Sequence, residues 1–454
     1  MKYFFHVLVL CLAVAGCKKY LQEPPDDSIH TPGTVAEVQL LLDNEVQTNR
    51  TPPGLGAVAT DDIVLDPTAA SDTTSPYYGI YTWQPAYYQG QTDNSWTRPY
   101  TAIYYDNVAL HALDILPADK KTADTLAWHA AYASGLFYRS LHFFYLEETF
   151  GEPYSSKTAA SALGIPLRLD ADVMTKVERS TVGAVYDRII SDLKSAAFWL
   201  PVSVQRDYIF RPSRPAAWAL LARVLLVKGD YPQALQYADS CLRLYSTLLQ
   251  YDTVNSNPLH PFDMTGNPEL LFQCSSYDYS PLYASRSSVD SVLYESYSAN
   301  DLRRTLFYQK RVSGPGMSFK GSYSSGRVFA GLAVDEVYLT RAECKAWLGD
   351  IGGAMDDLNH LLITRWKTGT FQPYTAASKD AALRLVLDER RKETPFRELR
   401  WSDLRRLGQT PYATTLQRKL GGSIFTLPPN QAGYTWWIPW VEIHISGIAQ
   451  NPGQ

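Results

Sequence analysis

Two stretches of the chain repeat one hydrophobic pattern. Residues 215–249, PAAWALLARVLLVKGDYPQALQYADSCLRLYSTLL, place Trp218, Ala222 and Leu225 on one helical face and break at Gly229-Asp230. The pattern then resumes with Ala234, Ala238, Cys241 and Tyr245 on a second face. Apolar residues recurring at three- and four-residue spacings predict amphipathic helices. The same design returns in DEVYLTRAECKAWLGDIGGAMDDLNHLLITRW, where Tyr338, Ala342 and Ala346 precede a break at Gly349-Asp350 and Ala354 and Leu358 follow it. Each unit is close to the roughly 34-residue tetratricopeptide period, with small residues where two helices must approach closely.

Other segments also read as helix. A first helix is predicted around Leu40 to Leu42, and a helical pattern begins at Ile103 in YYDNVALHALDIL. Residues 124–148, DTLAWHAAYASGLFYRSLHFFYLEE, mix small residues with large aromatics and read as a buried helix. Ser180 is a candidate cap for a helix whose stripe is Val182, Tyr186, Ile189, Leu193 and Ala197, stopped by Leu200-Pro201. Residues 385–407 are helical in pattern and heavily charged, with Pro395 as a break. Two regions have no sustained period. Residues 51–102 and 251–333 are rich in turn formers and aromatics, and long irregular excursions in compact proteins are often functional.

The start of the chain changes the picture. Lys2 precedes a short apolar stretch, Tyr3 to Ala15, and Val14-Ala15-Gly16-Cys17 sets small residues before a cysteine. This is the pattern of a secretory signal whose cleavage leaves Cys17 first, with its thiol carrying lipid. About thirteen apolar residues are too few to span a bilayer, which needs roughly 20. Residues 1–16 are therefore expected to be a lipoprotein signal peptide, and 17–454 a single domain with a tether over about 17–33. Acyl chains, at roughly 0.8 kcal/mol per buried CH₂, would then hold the protein at a membrane.

Composition narrows the classes further. Formal net charge is −4 and there is no long basic run, which argues against nucleic acid as a partner. The chain holds 31 Tyr, 11 Trp and 16 Phe, whose flat apolar faces and polar handles suit partly hydroxylated ligands such as sugars. Cys241, Cys274 and Cys344 are three, widely spaced and without a Cys-x-x-Cys, so neither a disulfide framework nor a zinc site is expected.

Several of these segments, in this order, resemble the SusD/RagB family of outer-membrane nutrient-binding lipoproteins of Bacteroidetes. They are CKKYLQEPP after the signal, RSTVGAVYDRIISDLKSAAFWLP at 179–201, PAAWALLARVLLVKGDYPQALQYADSCL, NPELLF at 267–272 and YSANDLRR at 297–304. EVYLTRAECKAWLGD, ALRLVLDERRKETPFRELRWSDLRRL, and IPWVEI with QNPG complete the series. The resemblance implies a mostly α fold, with four tetratricopeptide-like helical hairpins as scaffold and a long irregular, loop-rich face. It implies a non-enzymatic lipoprotein of the outer membrane, facing the cell exterior. Such a protein binds an oligosaccharide, or less often a peptide or other nutrient, and passes it to a TonB-dependent SusC-like barrel. A structural protein-interaction lipoprotein without a small ligand is the alternative. No cofactor or metal is implied.

Catalysis needs a nucleophile or a paired acid and base in one pocket. Asp61-Asp62 is the strongest carboxylate pair by sequence, and a structural turn is the better reading for it. His111 and His142 lie in aromatic-rich helical stretches and read as satisfied buried histidines. The run DERRKETPFRELRWSDLRR at 388–406 mixes signs in a way that fits internal ion pairing better than an open anion site. Ligand contacts are therefore expected from the loops. Trp83, Trp96 and Tyr283 lead as stacking residues, with Tyr87, Asp93, Arg98 and Arg286 beside them, and Cys17 is the lipidation site. Trp218 and Trp401, inside helices, are expected in the core.

Overall fold

The computed structural model describes residues 32–66, 76–84, 93–262, 264, 266–277 and 285–453. Ten helices carry the architecture: α1 Val35–Leu42, α2 Asn94–Ile115, α3 Thr125–Phe150, α4 Val182–Trp199, α5 Arg214–Lys228, α6 Tyr231–Leu244, α7 Val334–Leu348, α8 Ile351–Leu362, α9 Lys379–Glu393 and α10 Leu399–Leu407. From α2 to α8 each helix packs along the next, and α9 returns to α7, which makes a tetratricopeptide-like solenoid. α1 lies across α2 and α3. α3 lies between α2 and α4. Asp124 caps its start by accepting from the Ala127 N–H, and every residue from Ala133 to Phe150 is buried.

The two repeated breaks are built alike. Gly229 (φ 75°) and Gly349 (φ 90°) end α5 and α7 in the left-handed region. Asp230 and Asp350 then cap α6 and α8 by accepting from the N–H groups of Gln233 and Gly353. The dipeptide thus stops one helix and starts the next, which is why it punctuates both hairpins. The two turns lie at one end of the solenoid, where Tyr231 stacks on Trp347 at 5.0 Å.

The charged run faces inward. Arg390 pairs with Asp403 (2.9 Å) and Arg406 with Glu343 (2.6 Å). Arg391 and Arg400 take the adjacent carboxylates Asp62 (2.8 Å) and Asp61 (2.8 Å). α9 stops at Glu393, and the link across Pro395 holds Phe396 and Glu398 at positive φ. Farther in, Arg303 meets Asp301, Glu389 and Glu393, while Arg365 meets Glu269 and Glu393, all fully or nearly fully buried.

Four details depart from the sequence reading. α2 begins at Asn94, nine residues before Ile103, and the short helices Leu55–Ala59 and Pro76–Tyr81 also lie inside the stretch expected to be irregular. Pro99, within the second turn of α2, hides this start, because a proline inside a helical pattern reads as a breaker. The cap of α4 is Thr181, not Ser180. His111 is exposed, whereas His142 is buried between Asp106 Oδ2 (2.8 Å) and the Thr48 carbonyl (2.9 Å). Tyr245 lies just past α6 as its C-cap. Trp401 is in the core as expected, and Trp218 packs against it half-buried.

Nothing lies within 4 Å of a Cβ built at Gly229 or Gly349, so the cost of a side chain there is backbone strain alone. Gly229→Val and Gly349→Val should each lose more than about 1 kcal/mol of stability in urea unfolding. Unchanged midpoints for both would refute this role of the two turns.

Candidate functional site

A cleft of about 360 Å³ opens along one face of α2. Thr97, Tyr100, Thr101 and Tyr104 follow the i, i+3, i+4, i+7 spacing, so one helical face supplies the wall. The opposite wall is the segment after β2 (Leu163–Pro166), with Pro166, Arg168, Asp170, Asp172, Val173 and Val177. Glu442 and Ser446, on the short helix Trp440–Ser446, close the remaining side.

The walls are fastened from below. The Tyr100 hydroxyl donates to the Pro166 carbonyl (2.9 Å). Burial raises that hydroxyl well above its ordinary pKa, with the Glu442 and Glu147 carboxylates adding to the effect, so it remains a donor. Asn107 Nδ2 donates to the carbonyls of Arg168 (3.0 Å) and Asp170 (2.9 Å). Its Oδ1 accepts from Arg139 Nη1 (2.9 Å), and Arg139 is held by buried Asp192 (2.7 Å). Within the outer wall, Asp172 accepts from the Thr175 hydroxyl and the Met174 N–H, which lowers its carboxyl below the ordinary value. β2 pairs antiparallel with β3 (Arg179–Thr181), and the Ile165 N–H donates to Glu147 Oε2 (3.1 Å). The result is a fixed cleft offering phenol rings, hydroxyls, carboxylates and a guanidinium, which is the chemistry that holds a polyhydroxylated ligand. Among the described residues no group of three or more His, Cys, Asp or Glu side chains could hold a metal ion.

The residues expected at the site divide. Trp83 is 3% exposed and is a correction. Its Nε1–H donates to the Ala59 carbonyl (2.9 Å), and its ring, with Tyr81, covers Arg418. The Arg418 guanidinium donates to the carbonyls of Val58, Thr60 and Ile63, and burial lowers its pKa to about 10. Trp83 is therefore part of a cage around a buried cation and offers no platform to a ligand. Trp96 is also 3% exposed, wedged between Tyr100 (4.7 Å) and Phe150 (5.1 Å). It touches the cleft by an edge and backs Tyr100, which corrects the expectation of an open stacking face. Asp93 caps α2 by accepting from the Ser95 N–H. Arg98 donates to the Arg50 carbonyl (3.1 Å) and lies over the Tyr277 ring at 4.2 Å. Arg286 is exposed, and its carbonyl accepts from the Asp66 N–H. Tyr87, Tyr283 and Cys17 lie outside the described residues.

The two loop-rich regions do meet. β1 (Ile63–Leu65) pairs antiparallel with β4 (Ser287–Val289), the Tyr277 N–H donates to the Pro52 carbonyl, and Asp66 binds Arg311 (2.6 Å). The cleft residues Tyr100, Tyr104, Arg168, Asp170 and Glu442 escape a sequence reading, because the walls come from three distant segments. The spacing of Thr97, Tyr100, Thr101 and Tyr104 is the one signal for them, and it is legible once Asp93 is taken as a helix cap.

A tetratricopeptide-like solenoid with a polar, aromatic cleft beside it is the frame of a binding protein. Comparison with known families gives the class. The family model described as "Starch-binding associating with outer membrane" matches residues 19–226, and that of the SusD family matches residues 298–435. The chain belongs to the SusD/RagB family. A relative named SusD-like protein P2, from Formosa agariphila, is 21% identical, with 93% of this chain and 92% of that protein covered. Among solved structures, a SusD superfamily protein of Bacteroides thetaiotaomicron is similar with a TM-score of 0.74 at 22% identity, covering 92% of this chain and 100% of that one. A protein of Bacteroides vulgatus called a putative sugar binding protein is similar with a TM-score of 0.75 at 21% identity, covering 94% and 100%. Family membership supports a nutrient-binding role in glycan uptake.

Glu147 beneath the cleft generates a pH prediction. Burial pushes its carboxyl from 4.5 up to about 8, opposed by Arg405 and Arg179 and helped by Glu148. The folded state then holds a proton that the unfolded chain releases, so this group's contribution to stability falls as pH rises from about 4.5 to 8. Glu147→Gln keeps an acceptor for the Ile165 N–H and does not titrate. Urea unfolding of the variant should gain on the wild type by more than about 1 kcal/mol between pH 5 and 8. A constant difference across that range would contradict the assignment.

Proposed function

We propose that this protein is a lipid-anchored outer-membrane lipoprotein that binds an oligosaccharide and delivers it to a TonB-dependent SusC-like barrel. The observation that carries the ligand class is the α2 face of Thr97, Tyr100, Thr101 and Tyr104 set against Arg168 and Asp170. Phenol rings meet the apolar faces of sugar rings, and the hydroxyls, carboxylates and guanidinium meet their OH groups. The "starch-binding" description of the family model and the sugar-binding name of the Bacteroides vulgatus relative support the same reading. Tyr87, Tyr283 and Arg286 stay candidates for further contacts from the loop face. Among the described residues no helix is long and apolar enough to cross a membrane, and anchoring is assigned to lipid on Cys17.

Calorimetry against a panel of oligosaccharides tests the ligand. Tyr104→Ala should weaken binding of the best saccharide by about 1–3 kcal/mol, the range of a moderate hot spot, without lowering the melting temperature. Binding of peptides with no saccharide bound would overturn the saccharide part. Cys17→Ala should abolish lipid labelling, since only the thiol accepts the diacylglycerol. Continued labelling of that variant would overturn the anchor.

A further inference from the structure

One end of the solenoid exposes a set of large apolar side chains. α2 ends there at Ile115, α3 begins at Thr125 and α4 ends at Trp199. Leu126 is 80% exposed, Phe198 65%, Ile115 57% and Val202 54%. The rings among them are held from beneath. The Trp128 Nε1–H donates to the Leu113 carbonyl (3.1 Å), and Lys121 Nζ lies 5.7 Å from the Trp128 ring while donating to the Asp114 carbonyl (2.7 Å). The His129 ring lies flat on Trp199 at 3.6 Å, and Phe198 meets Trp199 edge-on at 4.8 Å. Trp128 meets His129 edge-on at 4.9 Å, so Trp128, His129, Trp199 and Phe198 form one run of rings, with the exposed aliphatics at the same helix ends, and exposed apolar surface of this kind marks a face that something covers.

The path of the chain says what covers it. Lys120 Nζ donates to the Gly33 carbonyl (2.9 Å), so the segment that leads to α1 reaches the body beside this end. Cys17 lies only sixteen residues before Gly33. Sixteen residues span at most about 53–58 Å even fully extended. α3, with 26 residues, is roughly 39 Å long and separates this end from the end that carries the Gly229 and Gly349 turns. Lipid on Cys17 therefore brings the aromatic end to the bilayer ahead of the other. Tryptophan rings and lysine stems suit the depth of the lipid headgroups. Asp114, Asp119 and Asp124 are exposed on the same end, so the contact relies on apolar insertion and not on attraction to anionic lipid.

We infer that Ile115, Leu126, Trp128, Phe198, Trp199 and Val202 form a second membrane contact, resting at headgroup level and orienting the body on its anchor. The inference rests on the Cys17 reading for delivery and is separable from it. The test uses the full-length lipidated chain on phosphatidylcholine vesicles, with an environment-sensitive fluorophore on Phe198→Cys or on Leu348→Cys. Leu348 is exposed at the opposite end, and the described native thiols Cys241, Cys274 and Cys344 are buried and do not compete. The label at 198 should shift to the blue and be quenched at least about twofold by brominated acyl chains, as expected of a group at the interface, while the label at 348 stays as in water. Equal emission at both positions, on vesicles whose protein carries lipid by mass spectrometry, overturns the inference. Should Cys17 prove unmodified, the anchor reading fails. The same pair of labels is then compared on a Cys17→Ser chain held by an N-terminal histidine tag to nickel-chelating lipid, where equal emission again overturns it. A shift at 198 that appears only in membranes containing a barrel partner also overturns it, in favour of a protein contact.

Discussion

The fold hangs on buried, mutually paired charge. Arg303, Arg365, Arg397 and Lys392 meet Asp301, Glu389, Glu393, Glu269 and Asp335 in one continuous cluster. Its members come from the segment after α6, the 297–304 stretch, the first turn of α7, the loop after α8, and α9 with the link that follows. Taking such groups out of water costs several kcal/mol per ion, and only close pairing offsets it. Arg365 and Arg397 are further covered by the Tyr251 and Tyr323 rings, each at 4.1 Å. Burial also raises the Glu269 carboxyl above its ordinary range despite Arg365, which moderates the excess of carboxylates. The irregular half of the protein is thereby locked to the helical half at many points, and removing any one arginine would strand its partners.

The regular half depends on a simpler rule. Helices that stack must be stopped and restarted at matched heights, and the Gly-Asp pairs do this with one left-handed residue and one cap. Between the turns, buried alanines and cysteines such as Ala222, Ala238, Cys241 and Ala342 let the helices approach closely. Arg223, bidentate to Glu336, ties α5 to α7 across that stack.

These layers were unequally legible. The hairpins could be read because their signals are local. The inward pairing of the 388–406 run could be read from its alternating signs, but its partners Arg303, Arg365 and Asp335 could not, since they lie far away along the chain. Trp83 shows the limit most clearly. A tryptophan among turn formers looks like a ligand platform, and only the arrival of Arg418 from a distant hairpin, β5 (Leu416–Leu420) with β6 (Ser423–Leu427), assigns it to a cage. The cleft was hidden for the same reason, with one wall from α2 and the other from residues 166–177, which no local pattern connects.

Asn107 has a consequence for how such a protein can diversify. It grips the outer wall through the main-chain carbonyls of Arg168 and Asp170, and is itself steadied by Arg139 from the interior. A clamp that holds backbone is indifferent to the side chains mounted on that backbone. Substitution of the exposed Val173 can alter what the cleft displays while the Asn107 clamp holds its width and depth. The chemistry of that wall and its shape can thus change separately.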